Sequence, residues 1–289
     1  MSRDVLSLFQ TRLRRVLESG RCFSTTSAKF LAFAVAGNLK RIPMSLIMDE
    51  YAFSLAPNGW NYFRALVAEY EKEPGIPLNE TSFFRFFQHP RIRSVRYLND
   101  LLFLHQPDAR RYQYNFYFGT YPWGDFWTRY STVGGQPWGY HYDLTEGKTT
   151  RDLYGYRRNP WYRPGDTRPL EIEWNHTIAL YHNLKKGYYP RRYGSLPEVV
   201  LLMRCNGDFR AVRCEGHHRL SILSQLGHVT VTVLIPPDSL RIIHEADVDK
   251  WYYVRNRLCT PEQALQIFHA FFELNGRERI ESLGLPSVY

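Results

Sequence analysis

The run from Glu198 to Ile235 constrains the fold most. Glu198-Val199-Val200-Leu201-Leu202-Met203-Arg204 is a continuous apolar stretch rich in β-formers. Asn206-Gly207 is a strong hairpin dipeptide, and Phe209 to Cys214 supplies the returning strand. Glu215-Gly216-His217-His218-Arg219 then leads into a short apolar helix, Leu220 to Leu226, closed by Gly227. Val229-Thr230-Val231-Thr232-Val233-Leu234-Ile235 is a further strand, ended by Pro236-Pro237. Strands and a helix interleaved in this way predict an α+β fold.

The turn between the second strand and the helix carries the chemistry. The first turn of a helix leaves backbone N–H groups unpaired, and the positive end of the helix dipole adds to them. Gly216 lets backbone approach an anion closely, and Arg219 offers a planar fork of donors suited to phosphate oxygens. Local chemistry leaves two readings open. One is a functional anion site. The other is an ordinary strand-to-helix turn in which Glu215 is a cap and His217 a solvated side chain.

Upstream, Glu171-Ile172-Glu173-Trp174-Asn175-His176 leads a helix whose Ile178, Leu180, Tyr181 and Leu184 face inward. It closes at Lys185-Lys186-Gly187, where basic residues suit the carboxyl end. Toward the amino terminus, residues 1 to about 42 read as two helices with a break near Ser24-Thr25-Thr26-Ser27. Leu6, Phe9, Leu13 and Val16 recur at helical spacing among arginines, so contact of residues 1–41 with an anionic membrane surface is one expectation and packing on the domain is the other. Asn58-Gly59-Trp60 opens a helix reaching Tyr70, and Asn79-Glu80-Thr81-Ser82 caps another through Phe83, Phe84, Phe86 and Phe87, a stripe read as core. Residues 105–165 are irregular and rich in Trp, Pro and Gly, which predicts long ordered loops that either cover a site or form a structural apron. Residues beyond 240 read as helical, with Thr260-Pro261-Glu262-Gln263 as a helix start. The resulting division is a helical and loop-rich region over 1–165, a central module over 166–240 and a helical extension over 241–289.

Charge and cysteine usage narrow the partners. The net charge of +9 on 289 residues suits phosphate-bearing partners, among them nucleotides, nucleic acid and anionic surfaces. Cys22, Cys205, Cys214 and Cys259 are scattered with no metal-ligand spacing, and Cys205 and Cys214 do not face each other across the hairpin, so a reducing cytoplasm is the expectation. No apolar run is long enough for a transmembrane helix.

The strand, the acid, Gly216-His217-His218-Arg219, the apolar helix, Leu226-Gly227 and the Val-rich strand together resemble the ParB/sulfiredoxin superfamily. The resemblance covers about 70 residues, roughly 170–237. It implies a ParB/sulfiredoxin-like nucleotide-binding module in which Gly216 and the following amides cradle phosphate. His217, His218 and Arg219 would contact phosphate oxygens, and Ser221 would add a hydroxyl. Members include CTP-binding partition proteins, the ATP-using reductase sulfiredoxin and a free-serine kinase. Two departures matter. Sulfiredoxin needs a cysteine directly after the glycine, where this chain has His217, which argues against thiolate chemistry. Partition proteins carry an acid–arginine pair where His217 and His218 stand, and a helix-turn-helix that residues 240–289 do not show.

The kinase-like chemistry fits the residue types best. Phosphoryl transfer needs positive charge on the phosphates, Mg²⁺ and a carboxylate that positions or deprotonates the acceptor. Glu173 is the expected base or metal partner, and Glu215 a second Mg²⁺ or nucleotide ligand. His218 joins them as a catalytic candidate, and Lys186 and Arg191 could steer a nucleotide. The first expectation is therefore an Mg²⁺-dependent enzyme, a kinase or NTPase, using ATP, CTP or another NTP on a small or sugar-like acceptor. The alternative is a nucleotide-gated binding or adaptor protein that contacts nucleic acid or a protein partner without catalysis.

Overall fold

In the computed structural model, residues 39–93, 102–104, 122–123, 167–189, 196–235, 242–257 and 259–287 are described. The amphipathic amino-terminal segment, Arg191 and nearly all of the loop-rich stretch fall outside them, and so do the expectations placed there.

The described elements run in the order β1 Leu39–Pro43, β2 Ile47–Met48, α1 Tyr62–Lys72, α2 Ser82–Gln88 and α3 Pro90–Arg93. Then come α4 Arg168–Lys185, β3 Glu198–Met203, β4 Phe209–Glu215, α5 His217–Gln225 and β5 Thr230–Leu234. β6 Ile242–His244, α6 Tyr252–Arg255, α7 Pro261–Glu273 and α8 Arg277–Ser282 complete the described strands and α-helices. The fold is α+β around one mixed six-stranded sheet of order β1-β5-β3-β4-β2, with β6 also beside β3.

The hairpin forms as the Asn206-Gly207 signal predicts. β3 and β4 are antiparallel, with Val200 opposite Val212 and Met203 opposite Phe209. The sheet also recruits three strands that sequence periodicity does not announce. β1 pairs antiparallel with β5, β2 parallel with β4, and β6 parallel with β3. The helical reading of residues up to about 42 is thus corrected at its end, because Lys40 and Arg41 lie in a strand. These added strands are short and cover edges that the central strands would otherwise leave unpaired. Two of them come from the amino-terminal stretch and one from the carboxyl-terminal stretch.

Side-chain alternation splits the core in two. Val199, Ala211, Val231 and Val233 share one cluster with Leu220 and Leu223 of α5. Val200, Leu202, Val212 and Cys214 face the other way, onto the aromatic residues of α1, α2 and α7. Phe53, Trp60, Tyr62, Phe63, Phe83, Phe86 and Phe87 are all buried there, so three of the four stripe phenylalanines are core as expected and Phe84 packs half-buried against them. Trp123 is also buried, edge-on to Trp251 and Phe268.

Caps set where the helices begin. α1 starts at Tyr62 rather than near Asn58 because the Asn61 side chain accepts from the N–H groups of Phe63 and Arg64. Thr81 caps α2, and Thr260 with Gln263 forms a full capping box on α7. α1 packs on both α4 and α5, with Val67, Tyr181, Leu184 and Ile222 buried together where the three helices meet. That three-helix contact brings the start of α5 beside the first turns of α4. Among the described residues, no helix is long and apolar enough to cross a membrane.

Candidate functional site

β4 ends at Glu215, and the chain reverses into α5 through Gly216 at φ 86°, ψ 33°. This left-handed conformation strongly favours glycine, and a Cβ would also sit 3.1 Å from Pro197 Cα. No side chain among the described residues caps α5, although the N–H of Leu220 bonds the Gly216 carbonyl in the normal helical way. The first turn of α5 therefore directs its amides at whatever lies beyond its end.

Two histidines follow. His217 and His218 both lie against Phe63 of α1, at ring-centroid distances of 5.4 and 4.3 Å, and 4.0 Å from each other. His218 is buried, and its Nε2 lies 2.6 Å from Oε2 of Glu173, also buried. Glu173 and His176 stand one turn apart on α4, so both reach toward α5. The His176 ring lies 4.5 Å from that of His218. One ligand atom from each of Glu173, His176 and His218 falls within 4.8 Å of the others, with His176 exposed.

Burial decides the charge of the histidines. His217 is held well below the ordinary imidazole value by burial, with the positive groups of His218 and Arg213 acting in the same direction. Burial also lowers His218, and its bond to Glu173 offsets that only in part. His217 is thus neutral at physiological pH. Its tautomer follows from its neighbour: the guanidinium of Arg213 can only donate, and its nitrogen lies 3.2 Å from His217 Nδ1. The ring proton therefore sits on Nε2, which is buried and has no hydrogen-bond acceptor among the described residues. Arg213 is itself buried and ion-paired with Glu50.

The remaining sequence candidates divide. Arg219 is buried within the first turn of α5. Ser221 is buried, and its hydroxyl donates to Oδ1 of Asn61 at 2.9 Å, so it reinforces the α1 cap instead of extending the anion site. Glu215 is exposed at the end of β4, opposite Glu198, and is not part of the Glu173–His176–His218 group. Lys186 is exposed at the far end of α4, about 20 Å along the helix from Glu173 at 1.5 Å per residue. Sequence reasoning passed over His176. Its signal was the Glu-x-x-His spacing on one helix, which places a carboxylate and an imidazole on the same face.

No protein-family model, no curated protein and no solved structure matches this chain.

Proposed function

We propose that the chain binds the phosphates of a nucleoside triphosphate at the start of α5 and transfers or hydrolyses the terminal phosphoryl group. The acceptor would be a small or sugar-like molecule. The observation that carries this reading is the start of α5 on left-handed Gly216, which no described side chain caps, beside the buried Nε2 donor of His217, which has no acceptor among the described residues. A buried donor without an acceptor is costly, and an anion's oxygen would satisfy it. The order of elements around Gly216, like that of the ParB/sulfiredoxin superfamily, supports the same assignment and a module of that type.

Each residue then has a role. The first amides of α5 and the guanidinium of Arg219 bind phosphate oxygens, and His217 donates one further hydrogen bond. Glu173, in hydrogen-bond contact with His218, is the carboxylate available to orient or deprotonate an acceptor hydroxyl. Mg²⁺ prefers oxygen ligands and keeps several waters, so it would enter on the nucleotide's phosphates and be held little by the protein. Its role would be to neutralise charge on the transferring group.

The same Glu173–His218 contact favours a second reading, nucleotide-gated binding without turnover, because that carboxylate is already occupied. One experiment separates the two. The full chain is incubated with ATP, CTP, GTP and UTP in the presence of Mg²⁺, and both thermal shift and phosphate release are followed. Stabilisation with turnover supports the enzyme, and stabilisation alone supports the binding protein. Arg219→Ala, checked for retained fold by circular dichroism, should lose the nucleotide-dependent shift. An undiminished shift in that variant overturns the phosphate site.

A further inference from the structure

We propose that Glu173, His176 and His218 form a binding site for a divalent first-row transition ion of the zinc class. The inference does not depend on nucleotide binding, since it needs no phosphate, but it shares Glu173 with the proposed acceptor site, and a bound ion would take that carboxylate as a ligand in place of its role as a base.

Three observations carry it. First, the ligand atoms converge from two helices to within 4.8 Å of one another. Four-coordinate zinc with bonds of about 2.0–2.1 Å holds its ligand atoms roughly 3.3 Å apart, well inside that spread. The Glu173–His218 contact of 2.6 Å would have to open by less than an ångström, the metal taking the place of the shared proton. Second, the donor set is one carboxylate and two imidazoles. That combination suits zinc, iron or cobalt and suits Mg²⁺ or Ca²⁺ poorly, since those ions take oxygen ligands. Third, the surroundings hold the ligands in place. Phe63 packs against His218, and the Thr177 hydroxyl, one turn on from Glu173, bonds back to its carbonyl at 2.7 Å. Two ligands are buried and the third, His176, is exposed, so an ion would be anchored on the protein side and open toward solvent. Three protein ligands leave a position for water or another small ligand, which distinguishes such a centre from a closed structural one.

The test uses the full chain, freed of metal by chelator dialysis and titrated with Co²⁺ without nucleotide. The expected result is one equivalent bound with the visible absorption of four- or five-coordinate Co²⁺. Zn²⁺ should displace it, and excess Mg²⁺ should not. His176→Ala changes an exposed side chain and should keep the metal-free melting temperature while weakening Co²⁺ binding at least about tenfold. Glu173→Gln should weaken it as well. Co²⁺ that keeps its aqueous spectrum, affinity unchanged in His176→Ala, or displacement by Mg²⁺ would each overturn the proposal. Because nucleotide is absent throughout, none of these outcomes bears on the phosphate site.

Discussion

His218 Nε2 lies 2.6 Å from Glu173 Oε2, joining two buried side chains 45 residues apart in the chain. The contact ties the first turn of α5 to α4 and is the polar centre of the candidate site. A buried donor or acceptor that loses its partner costs about 1–3 kcal/mol. Glu173→Leu leaves the His218 donor without its partner and should therefore destabilise the fold by at least roughly that amount in urea unfolding. A double-mutant cycle with His218→Leu, which also removes the hydrogen bond, should return a coupling of at least about 0.5 kcal/mol, as expected of contacting residues.

Ser221 provides a complementary case. Its hydroxyl is turned to the Asn61 cap, so Ser221→Ala should cost about 1 kcal/mol of stability and leave any nucleotide affinity unchanged. Loss of nucleotide binding without loss of stability would show that the hydroxyl reaches the ligand after all.

Gly276 is a demanding glycine position among the described residues. It has φ 91°, and a Cβ there would lie 2.5 Å from the Trp60 carbonyl oxygen and 2.8 Å from Phe53 Cδ1. Backbone strain alone costs of order 1–3 kcal/mol, and the clash with the aromatic core adds to it. Gly276→Ala should lower the unfolding midpoint sharply, whereas Gly207→Ala, also at positive φ but in open space, should cost less.

Glu245 is a half-buried contributor to the acid limb of stability. Glu245 accepts from the Cys205 N–H at 2.8 Å and bonds His269 Nε2 at 2.6 Å, and these contacts hold its carboxyl below the usual value of 4.5. A folded-state value below the unfolded one means that the unfolded chain takes up the proton first. The stabilisation is present above about pH 4.5 and is lost as pH falls through the lower folded value. Glu245→Gln should cost about 1 kcal/mol at neutral pH and flatten the decline in unfolding free energy below pH 4.5. A decline as steep as in the unaltered chain would show that other groups control it.

Local signals made much of this legible. The hairpin at Asn206-Gly207, the break at Gly216, the aromatic core and the caps at Thr81 and Thr260 all depend on residues within a turn or two of one another. β1, β2 and β6 were not legible. A strand of two to five residues has too few positions for a period, and its conformation is set by the edge it covers.

The site divides along the same line. From its own residues the chain determines a glycine turn, two histidines and an arginine at the head of an apolar helix. Tertiary packing alone decides what those groups are. Phe63 and the helix contacts bury His218 and the Nε2 of half-buried His217 and lower the pKa of both, because an imidazolium loses its hydration there. Packing also sends Ser221 to Asn61, leaves Glu215 and Lys186 apart from the cluster, and sets Glu173 and His176 against His218. Backbone turns are local chemistry, whereas charge state and ligand geometry depend on what the rest of the molecule places alongside them.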